Sequence, residues 1–175
     1  MNKTALLVID MQADLFHKSK PVHNADELIA NINRLVDTFH TAGQPVLFIR
    51  HTNASSMAEG TPGWQLISEL HAAEGDLVLN KKVSNSFKEG AVLAALRSLG
   101  INAVLVTGLV THGCVKAACE GSLELGYSVM LSSDGHSSYN ADAAALIELW
   151  NNKLRDAGVD VVETDEIVRR IRAEE

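Results

Sequence analysis

The sequence predicts an α/β protein with three layers, α/β/α and Rossmann-like, built on a mostly parallel six-stranded sheet. Three observations carry this reading. Short apolar runs alternate with helix-patterned segments along the whole chain, which is how a parallel sheet with helical crossovers is written. The runs LLVI, VLFI and AVLV are apolar at consecutive positions, as strands covered on both faces must be. Glycines punctuate the helical segments at Gly43, Gly100 and Gly126, where a helix C-terminus favours a residue free to take positive φ.

Thr4–Ile9 reads as the first strand, followed by a loop through Pro21. Ala25–Ala42 reads as a helix, because Leu28, Ile32, Leu35, Val36 and Phe39 share one face and Gly43 ends the pattern. Pro45–Arg50 is the second strand. A loop rich in Ser, Gly and Pro runs from Thr52 to Gly63, and a short helical turn is expected around Trp64–Leu70. Asp76–Asn80 is a brief strand, and Gly90–Leu99 a helix closed by Gly100. Ala103–Thr107 is short, rich in β-branched residues and bounded by punctuation, so it reads as a fully buried strand. From His112 the pattern turns helical, with Val115, Ala118, Cys119, Ser122 and Leu123 at spacings of three and four. Tyr127–Ser132 is a strand, Ala141–Ala157 a long helix, Val159–Glu163 a last strand, and the charged tail from Asp165 is helical. No internal repeat or low-complexity tract interrupts this order.

With 175 residues the chain is expected to form a single domain over residues 1–175. Apolar residues make up 46% and charged residues 21%, the balance of a folded core. The net charge of −7 and the lack of a dense Lys/Arg block argue against nucleic acid or an anionic membrane as partner. The opening MNKTALLVIDMQ has an apolar run too short for a secretion signal, and Asp10 follows it at once. No stretch approaches the roughly 20 apolar residues of a membrane span, so a cytoplasmic location is expected. Cys114 and Cys119, on one helix, would point about 140° apart, which argues against a mutual disulfide.

Ligands of parallel α/β sheets bind beyond the carboxyl ends of the strands. That rule selects Asp10, Arg50–His51, Lys81–Lys82, Gly108–Cys114 and Asp134–His136. Cys114 sits where a central strand ends and a helix starts, a place that favours an anion and hence a reactive thiolate. The alternative is a buried structural cysteine. Asp10 is either an acid/base group or a loop cap that accepts backbone N–H groups. In strand alternation Lys81 and Lys82 point to opposite sides, and the pattern alone leaves open which faces the site. An Asp, a Lys and a Cys converging above the sheet would supply an acid/base, a cation and a nucleophile. With backbone N–H groups of the Val110–Cys114 turn as an oxyanion hole, that set suits acyl transfer through a thioester.

The segments LLVIDMQ, NKKVSNSF and VTGLVTHGCV, in that order, resemble the isochorismatase-like cysteine hydrolases, a family that includes nicotinamidases and N-carbamoyl amidases. The resemblance runs from Ala5 to about Val162. It implies a catalytic Asp10, Lys81 and Cys114, with the lysine chosen because the family places it six residues before a Phe, here Phe87. It also implies a cis peptide at Leu109–Val110 that aims the Val110 N–H beside that of Cys114. The implied activity is hydrolysis of a C–N amide or carbamoyl bond in a small-molecule substrate, without a cofactor. Vinyl-ether hydrolysis is the alternative chemistry, and a catalytically silent α/β binding subunit the alternative of another kind. Nicotinamidases of the family hold a metal through an Asp-x-His pair after the second strand. The corresponding segment here, Phe48–Asn53, lacks that pair and leaves His51 alone, with His71, His112 and His136 scattered, so no metal is expected. Phe16, Trp64 and His112 are candidate substrate contacts, each with a structural alternative as loop anchor or cap. Asp134 is expected to be structural. Association into a homo-oligomer stays open, as does the substrate, because its pocket is built by loops.

Overall fold

The computed structural model describes residues 3–174. Its strands are β1 (Thr4–Ile9), β2 (Val46–His51), β3 (Leu77–Lys81), β4 (Ala103–Leu109), β5 (Ser128–Ser137) and β6 (Asp160–Val162). They form one six-stranded sheet in the order β3-β2-β1-β4-β5-β6, and every neighbouring pair is parallel. The helices are α1 (Ala13–Phe16), α2 (Ala25–Thr41), α3 (Ala91–Ser98), α4 (Lys116–Glu124), α5 (Ala143–Asp156) and α6 (Thr164–Ala173).

Side-chain alternation divides the core between the two faces of the sheet. Leu6 and Val8 of β1 pack with Leu28, Ile32, Leu35, Val36 and Phe39 of α2 and with Ile167 and Val168 of α6. Ala5, Leu7 and Ile9 pack on the opposite face with Val92 and Leu96 of α3, Ala118 and Cys119 of α4, and Leu154 of α5. All five predicted α2 stripe residues are buried, and Gly43 ends that helix at φ +64.

Three expectations need correction. The helical turn around Trp64–Leu70 is instead a three-residue 3₁₀ turn, Pro62–Trp64. Beyond it Leu66 forms an antiparallel bridge with Gln12, and the chain then turns at Ser68–Glu69, where the Leu70 N–H donates to Ile67 O. β5 does not stop at Ser132 but runs to Ser137, because Gly108 and Leu109 pair with His136 and Ser137 after a register shift. Asp134–His136 therefore lie inside a strand, not beyond one. The helix expected from His112 begins with a π-type turn, Thr111–Val115, in which Gly113 is non-helical at φ −117 and ψ −110.

Two backbone positions set the site. Gly108 has φ +114, and a Cβ there would meet the Ile9 carbonyl oxygen at 2.0 Å; only glycine lets β1 and β4 approach so closely. Asp10, just past β1, has φ +53, a left-handed conformation that Asp tolerates better than most residues. The chain leaves the strand there, with the Asp10 N–H donating to Ile49 O at 2.8 Å. The Leu109–Val110 peptide bond is cis.

Candidate active site

The carboxyl ends of β1, β3 and β4 bring Asp10, Lys81 and Cys114 together. Asp10 and Lys81 are buried, with 4% and 1% exposure, while neighbouring Lys82 is exposed. Lys81 is the last residue of β3 and Lys82 the first beyond it, and register with His51 of β2 fixes Lys81 at the sheet end. Lys81 Nζ donates to Asp10 Oδ2 at 3.3 Å and to Cys114 Sγ at 3.2 Å. Asp10 Oδ1 is also 3.2 Å from the ammonium, yet it makes no hydrogen bond there. Its contact is therefore coulombic, and its lone pairs remain open to another donor. Removing either member of such a buried ion pair leaves an uncompensated charge.

The thiol differs from the expected thiolate. Burial, followed by the negative charge of Asp10, pushes the Cys114 pKa up from 9.0 to about 11, while Lys81 pulls it down. The helix dipole that motivated the expectation is weak here, since regular α4 starts only at Lys116. The resting sulfur thus keeps its proton at neutral pH, and Asp10 also opposes its loss as a hydrogen-bond partner. Asp10 lies close enough to the thiol to act on its titration both as a charge and as a hydrogen-bond partner, which makes its carboxylate a candidate acceptor for that proton.

Around Cys114 the turn is closed by the N–H groups of Gly113 and Val115, which donate to Val110 O at 3.0 and 3.3 Å. Thr111 Oγ1 lies 2.8 Å from His136 Nδ1, whose Nε2 lies 2.8 Å from Asn151 Oδ1. Asn151 Nδ2 donates to Ser133 O, so its oxygen accepts from His136 and the buried imidazole in turn accepts from Thr111. This chain ties the turn to α5. Asp134 is structural in form: its Oδ1 accepts from the Thr164 N–H and hydroxyl at 2.9 and 2.7 Å.

The remaining candidates separate. Trp64 is 7% exposed; its Nε1 donates to Thr52 Oγ1 at 3.0 Å, and the Arg50 guanidinium lies 3.5 Å from the ring centroid. Phe16 is half-buried and packs against the same apolar cluster. His112 is half-buried, and among the described residues its Nδ1 is buried without a hydrogen-bond partner.

One residue escaped the sequence reading, and a second was selected by it without its contact being foreseen. Gln12 is fully buried, and its amide clamps the end of β2: Oε1 accepts from His51 N–H at 2.7 Å, and Nε2 donates to His51 O at 2.8 Å and Trp64 O at 2.9 Å. The available signal was a long polar side chain directly after an apolar strand. His51, selected at its strand end and then weighed as a metal ligand, stands with Nδ1 3.2 Å from Lys81 Nζ.

Asp10, His51 and Cys114 offer three metal-type ligand atoms within 4.8 Å of one another. They nonetheless do not suit a metal ion. The Lys81 ammonium is within 3.3 Å of all three, so the cation among these donors belongs to the protein, and a divalent ion would have to displace it.

The wider comparisons agree with this architecture. A streptothricin hydrolase of Streptomyces noursei is 29% identical over 142 residues, which are 80% of this chain and 51% of that one. This chain thus spans about half the length of that relative. A ureidoacrylate amidohydrolase of Pseudomonas savastanoi pv. phaseolicola is 26% identical over 187 residues, covering 85% of this chain and 76% of its own. The crystal structure of an isochorismatase from Pseudomonas putida superposes with a TM-score of 0.86 at 25% identity, covering 94% of this chain and 89% of that one. The sequence model of the isochorismatase domain matches residues 4–166, and that span takes in the whole sheet and every strand end described above. The chain therefore belongs to the isochorismatase family.

Proposed function

We propose that this protein is a cysteine hydrolase of small molecules that splits a C–N amide or carbamoyl bond through a thioester on Cys114. The observation that carries this reading is the Lys81 ammonium, 3.2 Å from Cys114 Sγ and 3.2 Å from Asp10 Oδ1. It joins a nucleophile to a carboxylate in a buried place where unused charges are costly. The ureidoacrylate amidohydrolase among the relatives is by name an amide hydrolase, which supports C–N cleavage.

In this reading Asp10 takes the thiol proton as sulfur attacks the substrate carbonyl carbon, so that a thiol with a pKa of about 11 reacts at neutral pH. The ammonium offsets the negative charge as it moves from carboxylate to sulfur to carbonyl oxygen. Backbone N–H groups of Val110 and Cys114 receive the oxyanion. Collapse of the tetrahedral intermediate breaks the C–N bond, and the departing amine takes the proton from Asp10. Water then attacks the thioester and gives a proton back to Asp10; the second collapse frees the acid and returns the proton to sulfur. None of these steps calls for a cofactor.

A panel of small amides and carbamoyl compounds tests the reading. The wild type is expected to release ammonia or amine and to show an acyl adduct on Cys114 by mass spectrometry, and Cys114→Ala to show neither. Pyruvate released from an enol-pyruvyl ether would replace amide cleavage by vinyl-ether hydrolysis, the chemistry for which the family is named. Absence of both products and of any adduct would leave a binding subunit.

A further inference from the structure

The steps above give no role to the third group around the Lys81 ammonium. His51 closes β2 and stands opposite Lys81 in the parallel register. Its backbone is pinned on both sides by the buried Gln12 amide, so its ring comes from a fixed strand end. Nδ1 lies 3.2 Å from Lys81 Nζ. A lysine ammonium has three hydrogens and no lone pair. Nδ1 therefore accepts, and the ring is the neutral form carrying its hydrogen on Nε2. Asp10, Cys114 and His51 then take one hydrogen each. With only two acceptors the ammonium would rotate about its Cε–Nζ bond and share its hydrogens among changing partners; with three, its orientation is fixed.

We propose that His51 is a positioning residue, a neutral Nδ1 acceptor that locks the rotation of the Lys81 ammonium and so aims its other two hydrogens at Asp10 and Cys114. Its effect on turnover rests on the hydrolase reading; the hydrogen bond does not. Protonation of His51 removes the lone pair and sets a second cation 3.2 Å from the first. The charged and titratable groups that face the ring are Lys81 on β3, Asp10 after β1, Glu89 ahead of α3, and Cys114 in the turn after β4. Burial and then Lys81 lower the imidazole pKa, against Asp10 and Glu89, which raise it. The acceptor is therefore present at neutral pH and lost only as pH falls below the usual imidazole range.

His51→Asn and His51→Leu separate acceptor from ring. Asn offers an oxygen near the Nδ1 position that does not titrate, so His51→Asn is expected within about tenfold of wild type, with the acid limb of kcat/KM moved to lower pH. His51→Leu is expected to fall about ten- to a hundredfold, mainly in kcat, the size of one lost hydrogen bond to a charged group. A readout independent of turnover is the ¹⁵N spectrum of the imidazoles, with His51 assigned by its disappearance in His51→Asn. Nδ1 should be unprotonated at neutral pH, and Lys81→Met should raise the pH at which the ring titrates. Wild-type activity in His51→Leu, an unmoved acid limb in His51→Asn, or a proton on Nδ1 would each overturn the proposal. If no substrate is turned over but the spectra behave as stated, the hydrolase reading fails and the positioning contact stands. Turnover with a protonated Nδ1 fails this proposal alone.

Discussion

Cys114 and Cys119 flank the first turn of α4, and the contrast between them separates a candidate nucleophile from core. In both, burial is the largest cause of a raised pKa, to about 11 for Cys114 and about 12 for Cys119. The position of the thiol titration therefore hardly distinguishes them. Their neighbours do. Cys119 is fully buried in the apolar cluster with Leu7, Ile9 and Leu96. Cys114 is half-buried and meets an ammonium at 3.2 Å and a carboxylate that opposes ionisation. On the hydrolase proposal, what would equip a buried thiol for chemistry is an adjacent proton acceptor and a cation, with no need for a depressed resting pKa.

The sharpest way to break this comparison is turnover. Cys114→Ala is expected to lose at least about 10³-fold in kcat, the scale at which triad members fail, while Cys119→Ala retains wild-type kcat and KM. Equal losses in both variants would show that the turn and the helix act as one unit. Next in size is alkaline stability. A thiol whose folded pKa lies above its unfolded value stabilises the fold fully below the unfolded pKa, and that contribution is lost as pH rises toward the folded pKa. For Cys119 the window runs from 9.0 to about 12. Wild type should lose about 1.4 kcal/mol per pH unit across it from this one group. Cys119→Ala should lack that slope in chemical denaturation, after a loss at neutral pH of about 1–2 kcal/mol from the small cavity. The smallest effect is expected at Lys82, exposed beside buried Lys81. Lys82→Ala should change kcat less than about threefold and stability by less than about 0.5 kcal/mol, whereas Lys81→Met should resemble Cys114→Ala in turnover.

Much of this arrangement was legible in the sequence because it is local. Apolar runs marked β1, β2 and β4, and the 3–4 spacing from Leu28 to Phe39 marked α2. Strand alternation required Lys81 and Lys82 to diverge, and the rule of strand ends pointed to Asp10, His51, Lys81 and Cys114 as one neighbourhood. What stayed hidden depends on distant partners. β5 continues through the polar segment Ser132–Ser137 because Gly108 and Leu109 offer it a ladder. The direction in which Cys114 titrates is set first by its burial in the folded chain and then by Asp10, more than a hundred positions away. Gln12 looked like the first residue of a loop; its role depends on where β2 and Trp64 end in space.

β3 borders the sheet, paired on one side to β2 and with Leu77 and Val78 exposed at 37% and 41%. Lys81 is its last residue. An outermost strand frays more readily than the centre of a sheet, because one row of ladder bonds holds it. The cation of the site thus hangs from the periphery, while Asp10 and Cys114 follow the two innermost strands. On the hydrolase proposal, warming or mild denaturant should silence turnover while the interior is still intact, which would set the thermal limit of activity below the melting temperature of the fold.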